Sequence, residues 1–293
     1  MILITAKTIG EAHEQVVQLI HDTCNQEEAC IRITEDKEQT YEPWTPICIH
    51  VDEPFTEPMK ASAAFFGERF LQAYQSTLYT ITKRRNDGTD AVYTYGNRLR
   101  DYPRAIPSVS DQSEQPLKRA RPSIVEQVMT RFGYQKIEKK KDETDELLSY
   151  AGDGHGGGID QIQKSIINRL IENPESRRAV AITWVPHLDI DTSEPPCLQI
   201  VQAFIDAHNA IHLVCLFRSN DMLSAWGQNA YGLAHLLQFI CNEINKERKQ
   251  QHKPLLTIGW LETISVSAHM YFSRDDYELR RYLDGKEEQN IKK

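Results

Sequence analysis

No CxxC pair occurs in the sequence. Its six cysteines, at positions 24, 30, 48, 197, 215 and 241, are scattered along the chain. That removes the spacing of a zinc knuckle or a disulfide framework and points to a reducing cytoplasm. No apolar stretch approaches the roughly 20 residues that cross a bilayer. The start, MILITAKTIG, is briefly apolar with no basic region ahead of it, so no cleavable signal is expected. Positive charge is also short. Lys and Arg number 34 against 42 Asp and Glu, a formal net charge of −8. A broad nucleic-acid surface is not expected, whereas a local basic pocket for one phosphate is compatible with that balance. No internal repeat is visible. The glycine-rich stretch GDGHGGG at 152–158 has no strand leading into it and no GK[ST] after it, so it reads as a flexible connection rather than a phosphate loop.

What is present is ordinary globular material: 40% apolar and 26% charged residues over 293 positions, enough to bury a core as a single domain. Apolar spacing at Ala12, Val16, Val17 and Ile20 predicts a helix over 10–23, and further helices are expected over 62–79 and from 159, where Ile159, Ile162, Ile166, Ile167 and Leu170 share a face. CIRI, ICIHV and AVAITWV read as strands. CLQIVQAFID and AIHLVCLFRS form a hairpin joined at AHNA. AYGLAHLLQFICNEINKE is a long apolar helix, and LETISVSAHMYFS a final strand. Residues 101–158 are polar, proline-bearing and charge-rich, a loop-rich insertion with one helix near 122–133. The expected class is α/β or α+β with a mixed sheet flanked by helices.

Cys197 stands behind two prolines at the mouth of an apolar run. Packing and nucleophilic chemistry both suit it: free cysteine is commonly buried, but prolines favour a strand entrance, and a reactive thiol needs cationic neighbours. Arg177, Arg178 and Arg218 are the candidates. Arg218 ends an apolar run, where an unpaired charge is costly, so it is expected to meet an anion. His208 and His212 have the i,i+4 spacing of metal ligands, but on a hairpin that spacing is not special. No metal site is assigned.

In order and approximate spacing, NPESRRAVAITW, PPCLQ, FRSNDMLSAWGQNAYGL and SAHMY resemble the thymidylate synthase family, which also includes pyrimidine-nucleotide hydroxymethylases. YTYGNRLRDYP is similar to that family's YGxxxR segment. The resemblance runs over roughly residues 90–275 and is nearest to the archaeal-type, methanogen-like branch. It implies the family's fold, with sheets packed face to face in a homodimer. Cys197 would attack C6 of a pyrimidine nucleoside monophosphate. Arg218 and Ser219 would hold the phosphate, with Arg177 and Arg178 reaching it from the other subunit. Asn229 would read the base edge, Asp221 would support the base, His269 and Tyr271 would hold the sugar hydroxyl, and Tyr95 would help remove the C5 proton. Glu57, with Glu68 as a second candidate, would be the catalytic glutamate. The co-substrate would be 5,10-methylenetetrahydrofolate or a related methylene-pterin.

An amide at 229 can match the O4 acceptor and N3 donor of uracil, which favours uridylate, and the resemblance to the archaeal-type branch favours methylation of dUMP to dTMP. Several positions depart from the family pattern. Trp226 and Gln228 stand in the segment after the arginine, Leu198 follows the cysteine where histidine is common, and Ser267 stands where an aspartate is usual. The chain ends DGKEEQNIKK, a polar tail in place of an apolar one. Excluding water decides between methyl and hydroxymethyl products, so C5 hydroxymethylation of a uridylate or cytidylate is the alternative. A non-catalytic nucleotide- or RNA-binding protein is the second alternative, though it would have no need of the thiol.

Overall fold

The computed structural model describes residues 1–34, 37–64, 66–81, 94–107, 148–151, 158–192 and 195–291. Six strands form one mixed sheet: β1 (Ile2–Ala6), β4 (Ile47–Val51), β7 (Val180–Ile182), β8 (Leu198–Ile205), β9 (Ala210–Asp221) and β10 (Thr257–His269). Their spatial order is β1-β4-β10-β9-β8-β7. β1 runs parallel to β4 and β9 parallel to β10, and the other pairings are antiparallel. A short ribbon of β2 (Ile31–Ile33) and β3 (Gln39–Tyr41) is stitched to the end of β10 by reciprocal backbone bonds between Tyr41 and Met270.

Alternation sorts the two faces of the sheet. Ile211, Leu213, Cys215 and Phe217 on β9, with Leu261, Thr263 and Ser265 on β10, are buried. Above them lie α1 (Ile9–Cys24), α2 (Glu68–Tyr79) and α6 (Trp226–Gln250). α1 begins at a capping box in which Thr8 and Glu11 satisfy each other's backbone N–H groups. α6 buries Trp226, Leu233, Leu236, Leu237, Ile240 and Ile244; truncating one of these leucines to alanine costs about 2–5 kcal/mol. The opposite face is less covered: Ile182, Ile200 and Val266 are 40%, 37% and 51% exposed.

The expected elements are found, with shifted ends. The helix expected over 62–79 begins only at Glu68, behind an extended Gly67. AVAITWV keeps just three strand residues, because Pro186 opens a short helix, α5 (Pro186–Asp189). The helix from 159 opens as a π-turn, Ile162–Ile167, before α4 (Asn168–Glu172). α6 starts four residues ahead of its apolar run. The two ends of the insertion meet as an antiparallel pair, β5 (Arg104–Pro107) with β6 (Leu148–Ala151). The helix expected near 122–133 lies outside the described residues. Among the described residues no helix is long and apolar enough to cross a membrane.

One buried polar cluster ties the ends of the chain together. His13 on α1 is fully buried; its Nε2 donates to the Met222 carbonyl at 2.8 Å, and the Tyr282 hydroxyl meets its Nδ1 at 3.1 Å. Tyr282 belongs to α7 (Asp276–Ile291). The imidazole fits because residue 227 is glycine: a Cβ there would stand 2.5 Å from His13 Nδ1. Burial holds this imidazole down to about 4, partly offset by its bond to Met222. The unfolded chain therefore binds the proton more tightly. Stability is complete above pH 6.5 and is lost as the pH falls from there towards 4, by about 3 kcal/mol in all. His13→Phe should be less stable than the parent at pH 7.5, because the Met222 carbonyl loses its donor, by about 1–3 kcal/mol. Between pH 6.5 and 4 it should show a flatter decline in urea midpoint. An unchanged slope would remove His13 as the titrating group.

Candidate active site

The site is built where β8, β9 and β10 meet at one end of the sheet. Cys197 stands just before β8, and its carbonyl accepts the Arg218 N–H at 2.9 Å, extending the β8–β9 ladder past the Leu198–Phe217 pair. Pro195 and Pro196 lack an N–H, and both present carbonyls to the Arg218 fork: Nη2 donates to Pro195 at 2.6 Å and Nε to Pro196 at 3.0 Å. Within the chain, Arg218 therefore braces the turn that carries the thiol, a role not expected from the sequence, where it was matched to an anion.

Of the six cysteines, Cys197 alone is half-buried; the others are buried. Burial pushes the Cys24 thiol up to about 12 and Cys48 to about 11, and raises Cys215 and Cys241 as well. Those groups behave as packing residues.

Tyr95 opens α3 (Tyr95–Arg100), capped by the Thr94 side chain. Its hydroxyl oxygen accepts the Leu198 N–H at 3.4 Å, and its ring stands edge-on to Phe217 at 6.5 Å. α3 packs closely on the end of α2 because residue 96 is glycine. A Cβ there would lie 2.3 Å from the Thr80 carbonyl and 2.6 Å from that of Thr77. Tyr95 and Cys197 are thus brought together from positions far apart in sequence.

Parallel pairing of β9 with β10 sets Ser219 beside Ser267 and Asp221 beside His269. The Asp221 carboxylate accepts the N–H groups of Leu223 and Ser224, the Ser224 hydroxyl and the Arg274 guanidinium at 3.1 Å. Arg274 in turn lies over the Tyr271 ring at 4.0 Å. The His269 ring is edge-on to Tyr271 at 5.2 Å, and its carbonyl accepts the Met222 N–H. Asn229, in the first turn of α6, is 4% exposed, and its Oδ1 accepts the Tyr74 hydroxyl at 2.5 Å.

Other candidates fall elsewhere. Arg177 and Arg178 are exposed ahead of β7, where Val180 pairs with Gln202. Gln202 is five residues along β8 from Cys197, about 16 Å at roughly 3.3 Å per residue. One chain does not bring these arginines to its own thiol. Glu57 is exposed, and its carboxylate accepts the Met59 N–H at 2.9 Å. Burial raises the Tyr231 hydroxyl, and the charges of Glu57 and Glu68 raise it further, which places both glutamates near α6. Tyr231 packs on His235 at 4.5 Å, and Phe55 stands edge-on to the same imidazole at 5.2 Å. His212 is held by Asp206 at 3.2 Å and stacks near Trp260 at 4.5 Å. Among the described residues no cluster of His, Cys, Asp and Glu is arranged to hold a metal ion.

Sequence reasoning missed Tyr74, Arg274 and Glu42. Glu42 is buried; it accepts the Ser267 hydroxyl at 2.7 Å and pairs with Arg32 at 3.1 Å. A carboxylate therefore stands beside residue 267 although that residue is serine. Glu42 follows the short strand β3, on which Gln39 is exposed and Thr40 buried, and nothing local marks it.

The family model described as Thymidylate synthase matches residues 70–271, over two thirds of the chain. A protein of Methanosarcina barkeri, named provisionally as a thymidylate synthase, is 27% identical over 92% of this chain and 89% of its own length. A similarly named protein of Methanococcoides burtonii is 26% identical over the same shares. One of Methanosarcina acetivorans reaches 38%, over 39% of this chain and 46% of its own. With the mixed six-stranded sheet, the thiol at its end and the match over residues 70–271, the chain belongs to the thymidylate synthase family.

Proposed function

We propose that the protein transfers a one-carbon unit to C5 of a pyrimidine nucleoside monophosphate, and that the reaction is reductive methylation of dUMP to dTMP. The observation that carries this reading is the setting of Cys197: the one half-buried thiol of the chain, on a turn braced by Arg218, with the Tyr95 hydroxyl on the adjoining N–H.

In this reading the Cys197 thiolate adds to C6, and the electron pair moves to C5 and onto O4. Asn229 meets the base at O4 and N3, where a donor and an acceptor are both needed. Ser219 and Arg218 face the phosphate, Arg218 through Nη1 since its Nε and Nη2 bond the proline carbonyls; His269 and Tyr271 face the sugar hydroxyl, and Asp221 steadies the turn beneath the base. C5 then bonds the one-carbon unit, which parts from its carrier as the C5 proton leaves; Tyr95 helps remove that proton, its hydroxyl passing its own proton on to solvent, and the thiolate leaves when C5–C6 unsaturation returns. Glu57 is the candidate for proton traffic at the base edge, with Glu68 beside it. The aromatic and imidazole faces of Tyr231, His235 and Phe55 suit a flat pterin ring, and the nearby glutamates suit its N–H groups. When bound, a methylene-folate supplies the one-carbon unit and, for methylation, the hydride.

Arg177 and Arg178 enter this scheme only through a second copy. The uncovered apolar face of the sheet, with Ile182, Ile200 and Val266 exposed, supports a homodimer packed sheet to sheet. A second reading, C5 hydroxymethylation of a uridylate or cytidylate, draws on the C-terminus. α7 buries Leu279 and Tyr282 in the core and bonds to His13 on α1, and the sequence beyond is polar.

Three measurements test the proposal. Incubation with dUMP and methylenetetrahydrofolate should yield a nucleotide heavier by one methylene group, read by mass spectrometry. A hydroxymethyl product would select the second reading, and Cys197→Ala should give neither. Iodoacetamide on the folded protein should modify Cys197 at least tenfold faster than the other five cysteines, with dUMP protecting it. Modification of Cys24 or Cys215 first would contradict the exposure argument. Finally, mixing inactive Arg178→Ala and Cys197→Ala subunits should restore up to about a quarter of parent activity, because one hybrid site keeps both groups. Two folded, exchanging variants that stay silent would rule out a shared site.

A further inference from the structure

Asn229 is nearly sealed, at 4% exposure, and its amide is engaged from α2. The Tyr74 hydroxyl donates to Oδ1 at 2.5 Å, at the short end for a hydroxyl donor. Tyr74 is itself held, its ring stacked on Phe70 at 5.7 Å with 22° between the planes. The Asn229 backbone is fixed as well, since its N–H donates to the Ala225 carbonyl. So both ends of the side chain are placed: the main chain by the first turn of α6, the amide by a phenol from another helix.

An asparagine amide presents a donor at one end and an acceptor at the other, and a half-turn about its last bond exchanges them. That exchange separates the two pyrimidines. Uracil offers an acceptor at O4 and a donor at N3–H; cytosine offers a donor at its 4-amine and an acceptor at N3. With the phenol bonded to one lone pair of Oδ1, the second lone pair is left for N3–H, and Nδ2 can donate to O4. Turning the amide would replace the short O–H···O contact by an N–H···O contact of about 2.9 Å and would turn the phenol hydrogen away from its acceptor.

We propose that Tyr74 is a specificity-determining residue, fixing the Asn229 amide in the orientation that accepts uracil and disfavours cytosine. The proposal deepens the reading of Asn229 as the group at the base edge and rests on it. Tyr74 is a positioning residue here, acting through Asn229.

The test is calorimetric binding of dUMP, dCMP and deoxyribose 5-phosphate to the parent, Tyr74→Phe and Asn229→Ala. Phenylalanine keeps the ring and its stacking and deletes only the hydroxyl. The parent should prefer dUMP. In Tyr74→Phe that preference should fall about tenfold, dCMP binding should tighten, and deoxyribose 5-phosphate should bind as before. In Asn229→Ala the preference should vanish. Equal weakening of all three ligands in Tyr74→Phe, at unchanged thermal stability, would make Tyr74 merely structural and overturn the proposal. A preserved preference in Tyr74→Phe alongside its loss in Asn229→Ala would overturn it while leaving the reading of Asn229 intact. Preference retained in Asn229→Ala, or absent in the parent, would remove both.

Discussion

The site depends on the register of β9 with its two neighbours. Antiparallel pairing with β8 sets Leu198 opposite Phe217 and delivers the Cys197 carbonyl to the Arg218 N–H. Parallel pairing with β10 sets Asp221 beside His269. Alternation along a strand has a period of two, so a slip by one residue would turn Ser219 and Asp221 to the opposite face of the sheet. Slippage is opposed by the apolar face beneath α6, where Ile211, Leu213, Cys215 and Phe217 are all fully buried. The chemistry at the end of the sheet is thus held in place by packing in its middle.

Much of this was legible in the sequence. The β8–β9 hairpin, the long helix behind it and the final strand announce themselves by period and by their turn residues, which are local properties. So does the placing of Cys197 at a strand entrance. The ends of elements were less legible, because they follow from tertiary contacts: Trp226 begins α6 ahead of its apolar run since its indole is buried and its Nε1 donates to Thr263 at 2.9 Å. Least legible were pairs joined only by folding. Glu42 meets Ser267, His13 meets Met222 and Tyr74 meets Asn229 across separations of 225, 209 and 155 residues. No window of periodicity spans such distances.

The same contacts change how departures from the family pattern are to be understood. Trp226 looks from the sequence like an intrusion into a site segment. In the fold it is core: its ring packs against His13 at 5.6 Å, and the neighbouring Gly227 leaves room for that imidazole. Ser267 looks like the loss of a carboxylate. In the fold a carboxylate arrives from Glu42, whose other oxygen is held by Arg32. Each of the two residues has its partner far along the chain, His13 for Trp226 and Glu42 for Ser267.

The C-terminus follows that pattern with a different consequence. Arg274 bonds the Asp221 carboxylate, Tyr282 bonds His13, and His13 bonds the Met222 carbonyl. Met222 in turn donates to the His269 carbonyl. The segment from Arg274 onward is therefore tied at two points to the turn that leads from β9 into α6, the turn that sets where Asn229 stands. Anchoring of this kind orders the Asn229 side of the site through contacts from Arg274 and Tyr282. In the proposed reading, the groups that would hold the nucleotide and those that would keep water from C5 are distinct, so ordering the first set does not by itself decide between a methyl and a hydroxymethyl product.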